Sequence, residues 1–249
     1  MTGVSEATDA KAQPVPSTLR LAAIWIAVFL PTIALLILLK RTRPPGLYWW
    51  SWLITSVQLA AGLWVYHRYY KEHIPLWTLH GWAWAAAAFL GLSAIWYTIG
   101  IPTFWPRGTI IMAGLELFKY LVLIGFTEEF WFHGIWLAMF HIRLVPSVIF
   151  GSLVFGLIHL AHDPVSALFS GAFGAVFAAA RYRGASIIQL ALAHGILNWV
   201  MGLLLPVSEF RIGHGMLLLV LPPVLCVGLS ASLVFWGRRK SGSSRSSTS

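Results

Sequence analysis

Carboxylates are scarce in this chain. Its 249 residues hold only 8 Asp and Glu against 17 Lys and Arg, and charged residues make up 10% of the total. A soluble domain ordinarily carries about a quarter charged residues, so a cytosolic globular enzyme is disfavoured at once. Cysteine is nearly missing as well. The single Cys226 excludes an intramolecular disulfide framework and a cysteine-rich metal site. The net charge of +9 would suit nucleic acid, but the basic residues stand in short clusters between long apolar runs. Membrane topology explains that arrangement better than a DNA-binding face does, so no nucleic-acid partner is expected. No soluble second domain and no internal repeat is evident.

What the chain has in quantity is apolar sequence: 58% hydrophobic residues, with 14 Trp and 15 Phe. Stretches 21–39 and 46–66 contain no charged residue, and each can cross a hydrocarbon core of about 30 Å as a helix. Further apolar segments cover 74–106, 108–127, 144–160, 164–180, 184–207 and 212–236. Residues 130–140 read as a short extra helix or as the continuation of a kinked one. The expected fold is all-α, a polytopic transmembrane helical bundle of about eight spans over 19–237, with a polar site between helices. Residues 1–18 read as a disordered tail, since they lack the basic start and apolar core of a signal peptide. Residues 238–249 read as a basic, Ser-rich tail.

The clusters Lys40-Arg41-Arg43, Arg181-Arg183 and Arg238-Arg239-Lys240 are expected on the cytoplasmic side. Trp49, Trp50, Trp52, Trp77, Trp82 and Trp236, near segment ends, suit interfacial belts. Gly171, Gly174 and Ala178 form a small-residue stripe that lets helices approach closely.

Four of the acids, Glu116, Glu128, Glu129 and Asp163, lie in or beside apolar stretches. Keeping carboxylates there is costly, which makes them functional candidates. Glu116 and Lys119 are three apart on one helical face and are expected to pair. The first polar cluster is Thr127-Glu128-Glu129-Phe130-Trp131-Phe132-His133-Gly134. On a helix Glu129 and His133 share a face, while Glu128 points about 100° away. Paired carboxylates there suit a general base that takes and returns a proton near neutral pH. The plain alternative is an interfacial loop in which Thr127 caps a helix beside its acidic first turn.

The second cluster is Phe155-Gly156-Leu157-Ile158-His159, followed by His162-Asp163, which read as an interfacial pair or turn. The third runs from Gln189 to Asn198, with His194 and Asn198 four apart on one face. Together those two side chains offer donors to a developing oxyanion. Each cluster also has a plain reading as helix–helix hydrogen bonding, to which Gln189 would contribute. Three clusters in separate segments favour convergence on one buried polar site.

Glu128-Glu129-xxx-His133, Phe155-xxx-His159 and His194-xxx-Asn198, in this order, resemble the CAAX prenyl protease and bacteriocin-processing family of intramembrane proteases. The resemblance covers roughly 108–201, and Gly134 follows the first motif as it usually does in that family. It departs in one place: His133 stands where the family typically has Arg. Arg is permanently charged and binds a carboxylate bidentately, whereas His is shorter and titrates. The resemblance implies that Glu128 with His159 activates a water for attack on a peptide carbonyl, that His194 and Asn198 stabilise the oxyanion, and that Glu129 and His133 support them. It further implies a membrane-embedded or lipid-anchored protein or peptide substrate cut near its C-terminus.

No cofactor is expected, with zinc on Glu128, His159 and His194 as the alternative. No HExxH or HxxEH occurs, so the familiar zinc-protease helices are excluded. A rhomboid-like serine protease is disfavoured because Leu168-Phe169-Ser170-Gly171 lacks the first Gly of its motif. An aspartyl protease is disfavoured because Asp163 is the only membrane Asp candidate. Two readings of other classes stay open. One is a proton or metal-ion transporter, against which stands the lack of an inverted repeat. The other is a non-catalytic scaffold or immunity-type relative. The short tails suggest a bacterial plasma membrane as the setting.

Overall fold

The computed structural model describes residues 17–42, 46–71, 74–102, 110–139, 144–160, 164–204, 207–210 and 216–236. Of the expected tails 1–18 and 238–249, all but residues 17 and 18 lie outside the described residues, as does the His162-Asp163 pair; Thr18 is the first residue of helix. Each of the expected apolar segments holds a helix. They are α1 (Thr18–Thr42), α2 (Leu47–Val65) running into the π-turn π1 (Tyr66–Tyr70), and α3 (Trp82–Ile99). Then come α4 (Ile110–Phe118), π2 (Lys119–Gly125), α5 (Phe126–Glu128), π3 (Glu129–Ile135) and α6 (Trp136–Met139). After them stand α7 (Leu144–His159), α8 (Pro164–Tyr182), α9 (Ile187–Trp199) with π4 (Val200–Leu204), and α10 (Met216–Trp236). The all-α expectation holds. Two helical stretches, Leu19–Leu39 and Pro164–Tyr182, are long and apolar enough to cross a membrane on length and composition.

From Ile110 to Met139 the chain is helical without interruption, so 130–139 is a continuation of the preceding helix rather than a separate one. Two π-stretches interrupt its α geometry, and such bulges occur often at functional sites. A small departure from all-α is a strand pair: Gly100–Pro102 (β1) lies antiparallel to Val207–Phe210 (β2). Its register shifts between Ile101 and Pro102, where proline has no N–H to donate. Three residues give no periodicity, which is why the segment read only as an apolar run.

Close packing follows the small residues. A Cβ on Gly156 would stand 2.8 Å from the Ala167 carbonyl oxygen, and one on Gly171 3.1 Å from that of Ser152, so α7 and α8 touch backbone to backbone. A Cβ on Gly174 would instead meet the Phe155 ring at 3.0 Å, and Ala178 is fully buried. The predicted stripe is therefore the α7–α8 seam. At Gly195 of α9 a Cβ would meet the Tyr120 carbonyl oxygen at 2.6 Å and Leu121 Cα at 2.7 Å. Both are backbone atoms that yield poorly. Gly195→Ala is therefore expected to destabilise by about 1–3 kcal/mol, read as a lower thermal unfolding midpoint in detergent. An unchanged midpoint would mean that α9 does not lie this close to π2.

The turn from α8 to α9 is locked by both of its ends. Ala185 N donates to the Ala180 carbonyl and Gly184 N to that of Arg181, with Gly184 at φ 104°. This is a Schellman closure, which favours glycine at the left-handed position. Ser186 then caps α9: its Oγ accepts from Gln189 N at 3.3 Å, and Gln189 Oε1 accepts from Ser186 N at 2.8 Å. Gln189 also donates through Nε2 to the Thr78 carbonyl. Gln189 is thus a capping and loop-anchoring residue, and the expectation of a simple helix–helix hydrogen bond is corrected. Two apolar cores result. One gathers α3, α8, α9 and α10, and the other α1, π1, π3, α6 and α7.

Candidate active site

The predicted polar residues meet where the two cores adjoin. Phe177 comes from the first core and Phe155 from the second. His194 stacks on Phe177 at 5.0 Å between centroids and meets Phe155 edge-on at 5.9 Å. His133 lies 6.0 Å from each of the same two rings. His159 stands 4.8 Å from Phe155, at the last residue of α7. One phenylalanine ring therefore touches all three candidate histidines, and its presence in the Phe-xxx-His motif has a packing reason.

Around these rings lies a chain of ionisable groups. Glu129 is fully buried, with Oε2 2.8 Å from His133 Nδ1 and Oε1 2.8 Å from His194 Nδ1. The His194 contact is a well-formed hydrogen bond. The His133 contact is as close, but its angle falls outside hydrogen-bond geometry. His133 Nε2 donates to the Gly174 carbonyl at 3.0 Å. On the other side of His194, Nε2 lies 3.3 Å from Glu128 Oε2. The two adjacent glutamates thus grip one imidazole by its two nitrogens, although an ideal helix would set them about 100° apart.

Accessibility separates the pair. Glu128 keeps 17% of its side chain exposed and Glu129 none. Neither sits at a helix start. Thr127 is buried within the continuous helix and its hydroxyl donates to the Thr55 carbonyl at 3.5 Å, so the helix-capping alternative is overturned.

His159 Nδ1 lies 2.8 Å from the Phe155 carbonyl oxygen, which can only accept, so Nδ1 carries the hydrogen. In the neutral ring Nε2 then bears the lone pair, the form a general base requires. Asn198 is half-buried one turn beyond His194, and its side-chain amide has no hydrogen-bond partner among the described residues. Glu116 and Lys119 pair at 3.5 Å, as expected, away from this cluster.

Three contributors were not legible in the sequence as parts of the site. Gly174 acts through its carbonyl, and a backbone acceptor leaves no side-chain signature. Phe177 sits in an apolar run without a motif. Arg181, expected in an exposed basic loop, is 6% exposed; its Nη1 donates to the Ala185 carbonyl at 2.7 Å, and its charge acts on Glu129.

Among the described residues no group of three His, Cys, Asp or Glu side chains is placed so that it could hold a metal ion.

Residues 110–200 match the family model described as type II CAAX prenyl endopeptidase, Rce1-like. No curated protein and no solved structure matches the chain. The matched segment starts with α4, ends at the first residue of π4, and contains Glu128, Glu129, His133, His159, His194 and Asn198. Over that segment, a little more than a third of the chain, the sequence is similar to the Rce1-like type II CAAX prenyl endopeptidases.

Proposed function

We propose that the chain hydrolyses a peptide bond near the C-terminus of a membrane-embedded or lipid-anchored protein, in the plasma membrane of a bacterium, with water activated by Glu128 and His159. The observation that carries this reading is the grip of Glu128 and Glu129 on the two nitrogens of His194, at 3.3 and 2.8 Å. It gives the two carboxylates different work. Glu129, dry and held from both sides, orients His194. Glu128, partly exposed, is the one that water reaches.

In the reaction Glu128 takes a proton from water while the water oxygen bonds to the carbonyl carbon. The carbonyl electron pair moves to oxygen and creates a tetrahedral oxyanion. Protonation cancels the charge of Glu128, so His194 Nε2–H, already in the longer of its two contacts, turns to the oxyanion alongside the Asn198 amide. Glu129 keeps hold of Nδ1 throughout and fixes the ring's plane. Collapse of the intermediate breaks the C–N bond, and the departing amine takes the proton that Glu128 and His159 hold. No step needs a metal.

The cellular test compares protein C-termini in cells lacking this chain with cells given back either the wild type or Glu128→Gln. Membrane or lipidated proteins shortened at the C-terminus by the wild type alone are expected. Identical C-termini with either form would favour the scaffold reading instead.

A further inference from the structure

We infer that Trp131 is a positioning residue: its indole is seated on α2, against Gly62 and the Gln58 carbonyl, and this seat sets the place of π3 from which Glu129 and Glu128 reach His194. The inference rests on the endopeptidase reading for its effect on rate. The seat itself is a matter of packing and is testable without substrate.

Trp131 is buried, and its Nε1–H donates to the Gln58 carbonyl oxygen at 3.0 Å. That oxygen lies inside α2, so the indole uses the lone pair that the helix leaves free. Gly62 follows one turn later on the same face of α2. A Cβ on it would stand 2.9 Å from Nε1 and 3.3 Å from Cε2, so glycine is what leaves room for the ring. The seat is held from behind by α1. Gln58 Nε2 donates to Thr32 Oγ1 at 2.7 Å, and Phe29 meets the indole edge-on at 5.5 Å between centroids. One turn before Trp131, the Thr127 hydroxyl donates to the Thr55 carbonyl. Thr127 and Trp131 thus apply one face of the site helix to the face of α2 that carries Thr55, Gln58 and Gly62.

Trp131 stands two residues after Glu129, so their side chains point to opposite sides of the helix. One side carries the indole to α2, and the other carries Glu129 to His194 of α9, 2.8 Å away. Glu128, next to Thr127, makes the 3.3 Å contact with the same imidazole. A push on the indole is therefore passed to both carboxylates. Buried and backed by Phe29, the ring does not yield alone. Carbon contacts settle at about 3.5–4.0 Å, so a methyl on Gly62 displaces the indole, and π3 with it, by about half an ångström. Misplacement by about 1 Å costs about a hundredfold in rate, which puts this shift near tenfold. Helix α2 lies before the matched residues 110–200, so the seat is supplied by a part of the chain that the family similarity does not cover.

The experiment measures steady-state cleavage of a farnesylated CAAX peptide by the purified protein in detergent, for wild type, Gly62→Ala, Trp131→Phe and Gly91→Ala, at a temperature where the proteins are folded. Gly91 of α3 is the packing control, since a Cβ there would crowd Leu229 of α10 and not the site helix. The seat predicts roughly tenfold lower kcat in Gly62→Ala and about threefold lower in Trp131→Phe, which keeps a ring and loses the N–H, with KM within about twofold throughout. Gly91→Ala keeps its kcat. In the same proteins labelled with 15N-histidine, the His194 ring signals, assigned by their loss in His194→Gln, shift in Gly62→Ala and Trp131→Phe and stay in place in Gly91→Ala. Wild-type kcat in Gly62→Ala overturns the proposal, and so does an equal fall in Gly91→Ala. If Gly62→Ala does not fold, Trp131→Phe decides by the same criterion. If the wild type cleaves no peptide, the endopeptidase reading fails on this substrate, and unmoved His194 signals in Gly62→Ala and Trp131→Phe would separately overturn the seat.

Discussion

Glu128→Gln lowers peptide cleavage by roughly 10²–10⁴-fold, the usual worth of a positioned general base, while the protein folds and unfolds as the wild type does. The two parts of this expectation have separate physical origins. The amide cannot accept the water proton, so the chemical step fails. Its shape is nearly that of the carboxylate, and its oxygen can keep the 3.3 Å contact with His194 Nε2. Because the side chain is already 17% exposed, losing its charge leaves no bare partner in a dry environment. Single-turnover cleavage of a farnesylated CAAX peptide, measured beside thermal unfolding, separates the two effects. A variant that keeps its rate removes Glu128 from the chemistry. One that unfolds early makes Glu128 a structural residue.

Glu129→Leu is expected to do the opposite damage, to the fold first and to activity through it. Removing this carboxylate leaves His133 Nδ1 and His194 Nδ1 without their shared partner in a fully buried space. Breaking a buried pair by deleting one partner costs about 3–5 kcal/mol. Glu129→Gln is milder, about 1–3 kcal/mol, because an amide can accept from one imidazole and donate to the other. Thermal unfolding of both variants in detergent gives the order directly. Equal midpoints for wild type and Glu129→Leu would show that the chain His133–Glu129–His194 does not hold the two cores together.

Much of this arrangement was legible in the sequence, for reasons that can be named. Uncharged runs mark membrane helices because length and apolarity alone decide that question. Scarce acids in apolar sequence pointed to Glu128 and Glu129 because a carboxylate there is too costly to keep without use. Spacing placed His133 on the face of Glu129. It failed for Glu128, since π3 departs from ideal α geometry directly after it and His194 bridges both acids. The continuity of 110–139 was hidden because π-stretches have no compositional mark. Arg181 looked like a topology signal, since a sequence does not tell a snorkelling cation from one folded inward to the Ala185 carbonyl. Gln189 was the one missed signal that was readable: Ser186-xx-Gln189 is a capping box in plain sequence, and the structure uses it so.

The central claim is that Glu128 activates water against a peptide bond inside this bundle. Cleavage of a farnesylated CAAX peptide by the purified protein in liposomes, run in 18O-labelled water, tests it most directly. Wild type is expected to release a product whose new carboxylate carries one 18O, and Glu128→Gln is expected to release almost none. Equal label from both forms, or a wild-type product without label, would contradict it.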